Sequence, residues 1–140
     1  MVYGSGDQKY SISRVGTAGQ ATIEVLKNPA KYANRPVYVC DYTVSTNEIV
    51  PLLEEIRPGW KIQRNEVSGV LEQAKKLWEE DTKNGVVDRL RTPAYAMLGT
   101  AGLFDEQNKY SADFSEKTEM GFDRKGLAEL REELRALCSS

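Results

Sequence analysis

One stretch, residues 35–56 with the sequence RPVYVCDYTVSTNEIVPLLEEI, constrains this chain most. Val37, Tyr38, Val39, Cys40 and Tyr42 make a β-branched and aromatic run with no clean polar alternation. A strand apolar on both faces belongs in a sheet that is covered on both sides, as in α/β folds. Ser45-Thr46-Asn47-Glu48 then fits a capping box, in which the serine hydroxyl accepts the N–H of Glu48 and the glutamate accepts the N–H of Ser45. Ile49, Leu52, Leu53 and Ile56 follow at helical spacing, so one face of the helix is apolar. Pro58-Gly59 ends it. The stretch therefore predicts a buried strand, a short turn and a capped helix.

The remaining elements are read around that unit. Residues 1–3 and 9–15 suit two strands of a hairpin, with Gly4, Ser5, Gly6 and Asp7 as the turn. Thr17 is placed to cap a helix carrying Ala18, Ala21, Thr22, Val25 and Leu26, which Asn28-Pro29 terminates. Residues 60–67 read as a further strand with Ile62 on one face. Ser68 is placed to cap a helix running to about Asp81, with Val70, Leu71, Ala74, Leu77 and Trp78 turned inward. Asn84-Gly85 breaks it, helical sequence resumes at Val86, and Pro93 fits the first turn of a second helix reaching Phe104. Residues 105–122 are polar and irregular. Asp123 is placed to cap a last helix with Leu127, Leu130, Leu134 and Leu137 in one stripe. The expected fold class is α/β: a small sheet of three to four strands with flanking helices and a helical C-terminal cap. It is truncated relative to a full Rossmann domain, as one domain over residues 1–140.

Charge and residue usage narrow the chemistry. Nineteen basic and 21 acidic residues leave a net charge of −2, without the basic excess of a general nucleic-acid or anionic-membrane binder. Apolar runs are too short for a transmembrane helix, and the first residues lack the pattern of a secretory signal. Two cysteines, Cys40 and Cys138, make no disulfide framework. A reducing, cytoplasmic setting is the expectation. The 140 residues contain no histidine, which excludes Ser-His and Cys-His catalytic units and histidine-based metal sites. Two distant cysteines do not make a structural zinc site, so the metal expectation is none.

Residues 11–26, the NRPVYV run at 34–39 and the TVSTNEI turn at 43–49 resemble the C-terminal half of NmrA-like proteins. These are isoflavone-reductase-like members of the atypical short-chain dehydrogenases, and the wording is closest to fungal versions. The similarity extends along nearly the whole chain and is most specific over residues 12–56. Where the family reads F-T-x-V-x-D-I-G-R, this chain has Ile12-Ser13-Arg14-Val15-Gly16-Thr17-Ala18-Gly19-Gln20. Val15 and Gly19 are kept; the usual acid is Thr17. Family members begin with a dinucleotide-binding half, whose glycine-rich turn lets the backbone approach a pyrophosphate. Here Gly4-x-Gly6 has Lys9 where a third glycine is needed. The resemblance implies a substrate-side domain without its nucleotide loop, so the cofactor expectation is none.

Candidate sites follow from position. Tyr95, Met97, Leu98, Leu103 and Phe104 match the region that borders the substrate pocket in the family, or are ordinary core. Asp41 follows the central run at the strand end where α/β sheets bind ligands. It is either an acid–base group with a pKa raised by burial or a turn-capping carboxylate. Tyr42 either donates to a substrate carbonyl or simply packs. The expected function is cofactor-independent binding of a small apolar metabolite. If the chain is an enzyme, it is a non-redox isomerase or cyclase of secondary metabolism. The alternatives are an interaction or regulatory protein, pairing as a homodimer through the surface left by the missing nucleotide-binding half, and a fragment of an NAD(P)-dependent reductase. Neither nucleic acid nor membrane is expected as a partner.

Overall fold

The computed structural model describes residues 1–119 and 125–138. Its order is β1 (Val2–Tyr3), β2 (Lys9–Ile12), α1 (Val15–Lys27), α2 (Pro29–Tyr32), β3 (Tyr42–Ser45), α3 (Thr46–Ile56), β4 (Arg64–Asn65), α4 (Val67–Lys83), α5 (Pro93–Leu103) and α6 (Leu127–Cys138). The class is mixed α/β. Strands and helices alternate through β4, and the later elements among the described residues are helices and short 3-10 turns at Arg89–Arg91 and Ser115–Lys117.

The strands form two separate pairs instead of one sheet. β2 pairs antiparallel with β3, Ile12 opposite Tyr42 and Lys9 opposite Ser45. β1 pairs parallel with β4, Val2 opposite Arg64. The hairpin expected between residues 1–3 and 9–15 is thus corrected. Gly4 and Gly6 do turn the chain, with φ of 59° and 82°, but the turn is captured from elsewhere. The Asn47 side-chain amide donates to the Ser5 carbonyl (3.0 Å) and to the Asp7 carboxylate (2.7 Å). A Cβ on Gly6 would lie 2.6 Å from the Asn47 side chain and 2.7 Å from that of Val2. So close an approach needs glycine, and it sends β2 away from β1.

The central run is corrected too. Residues 37–40 lie in no strand; the ladder begins at Tyr42. Val37 and Val39 pack on Ala21 and Tyr32 beside α1, while the Tyr38 ring meets Phe114 at 5.4 Å. That alternation suits an extended chain, but the segment has no partner strand. Among the described residues the N–H groups of Val37, Tyr38, Val39 and Cys40 find no acceptor.

The capping box at α3 forms as the sequence predicts: Glu48 N–H donates to Ser45 Oγ at 3.3 Å, and Ser45 N–H to the Glu48 carboxylate at 2.8 Å. The other predicted caps fall differently. α1 starts at Val15, placing Thr17 inside its first turn. α4 starts at Val67, one residue before Ser68. The Asp123 cap lies outside the described residues. Pro93 takes the first position of α5, as read, and Thr92 caps that helix. The strand expected over 60–67 shrinks to Arg64–Asn65, with Trp60 and Ile62 exposed.

One core cluster joins Tyr42 and Val44 of β3, Leu52 of α3 and Leu130 of α6, with Tyr10, Ile12, Ile49 and Leu134 around it. Leu130 and Leu134, from the middle of the α6 leucine stripe, join this cluster. Glu55 of α3 pairs with Arg131 and Arg135 of α6, tying the two helices at the surface. α4 and α5 pack against each other, and each carries a fully buried alanine, Ala74 and Ala94. Among the described residues no helix is long and apolar enough to cross a membrane.

Candidate functional site

Asp41 is 2% exposed and its carboxylate is held at the start of α1. Its Oδ2 accepts the Arg14 backbone N–H at 2.8 Å. Its Oδ1 accepts the Thr17 hydroxyl at 2.9 Å and the Arg14 guanidinium at 3.2 Å. Arg14 is the N-cap residue of α1, which has neither a side-chain cap bond of its own nor an acid in its first turn. Asp41 supplies that negative charge from another segment, where the helix dipole favours it. Burial pushes the Asp41 carboxyl up, but the Arg14 N–H, the Thr17 hydroxyl and the Arg14 guanidinium outweigh it and hold the pKa below the usual value. This reverses the raised pKa expected for an acid–base residue. The carboxylate stays charged and fully engaged.

Tyr42 is equally buried, and its hydroxyl makes no hydrogen bond of good geometry. Burial, then the nearby Glu133 carboxylate, push the phenol up to about 12. Glu133 itself is held below the usual carboxylate range, first by Lys125, whose ammonium donates at 2.7 Å. Arg14 completes the group at 3.3 Å from Glu133. Sequence reading singled out Asp41 and Tyr42 but missed Arg14, Lys125 and Glu133, whose sequence separations give no local signal.

A cavity of about 520 Å³ lies elsewhere, among α4, α5 and the turn that follows α5. α4 contributes Val67 and Leu71; α5 contributes Leu98, Gly99, Ala101, Gly102 and Leu103; the turn contributes Asp105, Lys109, Tyr110 and Ala112. Its size and mostly apolar walls fall within the range of small-molecule sites. Gly99 and Gly102, one turn apart, make a flat floor. The Tyr110 ring lies over Gly102, 3.6 Å from where a Cβ would stand, and is 67% exposed.

Of the five predicted pocket residues, the structure brings Leu98 and Leu103 into this wall. Phe104 is instead packed, stacked on Tyr3 at 5.1 Å and edge-on to Tyr10 at 5.5 Å. Tyr95 and Met97 sit on α5 outside the wall, Tyr95 at 45% exposure. Asp41 and Tyr42 are not among its residues either, so the two predicted groups do not form one site. Lys109 and Tyr110 were missed because their segment reads as irregular; a lone tyrosine between polar residues was the available signal.

Among the described residues no three His, Cys, Asp or Glu side chains gather in a way that would hold a metal ion. Cys40 is buried with its Sγ 3.2 Å from the Thr118 hydroxyl, and Cys138 is exposed; both are free thiols.

Comparison with known proteins finds a distant oxidoreductase relation. The protein named oxidoreductase poxI of Penicillium oxalicum is 23% identical over 96 residues, covering 68% of this chain and 31% of that protein. Its counterpart in strain 114-2 / CGMCC 5302 matches to the same extent. The chain thus matches about a third of the length of these relatives. No family model matches, and no solved structure matches.

Proposed function

We propose that this chain is an NmrA-like, oxidoreductase-related module that binds a small, mainly apolar molecule in the cavity between α4, α5 and the following turn. The cavity itself carries the reading: about 520 Å³ with apolar walls and a few polar groups at one side, the usual construction of a ligand site. The distant relation to a fungal oxidoreductase supports the oxidoreductase-related part of this reading; the substrate-side role in secondary metabolism is proposed with it. Binding is the whole of the proposed activity. Asp41 is saturated by hydrogen bonds and Tyr42 is buried beside Glu133, so neither is assigned a proton-transfer step on this ligand.

The test is a chemical-shift titration of the labelled protein with 2-naphthamide, a neutral flat probe. Shifts confined to Gly99, Gly102, Tyr110 and their neighbours are expected. A Cβ on Gly99, which lines the cavity, would meet nothing within 4 Å, so Gly99→Leu starts its side chain in open space and raises helix propensity. It should abolish the shifts in a folded protein. Shifts elsewhere, or binding untouched by Gly99→Leu, would contradict the reading.

A second reading, an interaction protein, is favoured by residues 37–40. Their unpaired N–H groups border a groove of about 390 Å³ lined by Ala18, Thr22 and Leu26 of α1, by residues 37–39 and by Phe114, with no charged side chain in its wall. Exposed extended edges normally carry charges or proline that discourage pairing; residues 37–40, extended but in no strand, have only Pro36 before them. Under this reading a second copy of the chain pairs there.

A further inference from the structure

The geometry points to an anionic ligand: a flat, mainly apolar molecule with one carboxylate or comparable acidic end, held at the Lys109 side of the cavity. The inference rests on the binding role proposed above. The ionisable groups in the cavity wall are Asp105, Lys109 and Tyr110, and they are not equivalent. Asp105 is committed to the turn, its Oδ2 accepting the Lys109 backbone N–H at 2.7 Å. The Lys109 ammonium has no ion pair and no hydrogen bond among the described residues. A cation at the rim of an apolar wall, with no acid to hold among the described residues, is the group a ligand's charge can engage. The two glycines and the Tyr110 ring set the shape. The Tyr110 ring already covers Gly102, whereas nothing lies within 4 Å of a Cβ at Gly99, so a planar body can pack on the open stretch of α5 at Gly99, beside the edge of that ring. Its acidic end then lies toward solvent and Lys109, and Tyr110 carries a second donor on the same turn.

The experiment compares 2-naphthoate with 2-naphthamide, which share a shape and differ in charge, by shift titration against the full chain. The acid should bind about fivefold more tightly than the amide, the scale of one exposed ion pair. Lys109→Met should bring the two to parity by weakening the acid alone. Asp105→Asn, which keeps an oxygen to accept the turn's N–H, should tighten the acid and leave the amide unchanged. Added salt should weaken the acid selectively. Equal affinities in the unaltered protein, or an acid preference that survives Lys109→Met, would overturn the inference while leaving the cavity as a site for neutral molecules. Failure of both probes to bind would overturn the cavity reading itself.

Discussion

At Asp41 one carboxylate joins two segments that the sequence keeps 27 residues apart. Replacing it by Asn puts an amide where the Arg14 N–H and guanidinium need an acceptor. We expect a loss of about 2 kcal/mol in denaturant unfolding, typical of hydrogen bonds to a buried charge, with fraying at the start of α1. The sign with pH follows from the lowered values of Asp41, Glu48 and Glu133. Groups depressed in the folded state stabilise it above their unfolded pKa, and that contribution is lost as pH falls through the folded values. Stability should therefore be level near neutrality and decline below about pH 4, less steeply in Asp41→Asn. Tyr42 has the opposite sign. Its phenol is raised from 10.0 to about 12, so its contribution is present below the unfolded value and lost as pH rises through that interval. Tyr42→Phe removes a buried hydroxyl without a good partner. It should leave stability unchanged or raise it by up to about 1 kcal/mol, and should delete the last phenolate step from an ultraviolet titration.

Among the elements, α3 is the one most fully legible in the sequence. Its capping box, its Leu52 face and its stop near Pro58 all form where local chemistry puts them. Ser45→Ala should cost about 1 kcal/mol in thermal or denaturant unfolding. The strands were legible as apolar runs but not as pairs, because pairing is decided by contacts distant in sequence. Asn47 holding the residue 4–7 turn, and Asp41 drawing residues 37–40 toward α1, are such contacts. The same limit hid the cavity. Leu98 and Leu103 carry a visible apolar signal, whereas Lys109 and Tyr110 come from a segment without periodicity and meet α5 only through the turn. The residue 37–40 segment offers its own check. Amides without acceptors exchange quickly with solvent. In hydrogen exchange, Tyr38 and Val39 should exchange at once in dilute protein while the core of α3 stays protected. Protection of these amides that grows with protein concentration would favour pairing between copies, which sedimentation would report as a dimer.

The whole molecule combines a hydrophobic core around β3, α3 and α6 with a helical pair, α4 and α5, that leaves a cavity at its side. It is distantly similar to part of a fungal oxidoreductase, and the guest proposed for the cavity is flat and apolar with an acidic end. A crystal structure of the chain grown with 2-naphthoate tests this most directly. The account predicts the naphthalene ring against α5 at Gly99, beside Tyr110, with its carboxylate toward the Lys109 ammonium. A naphthoate bound elsewhere, or a cavity left empty beside saturating ligand, would contradict it.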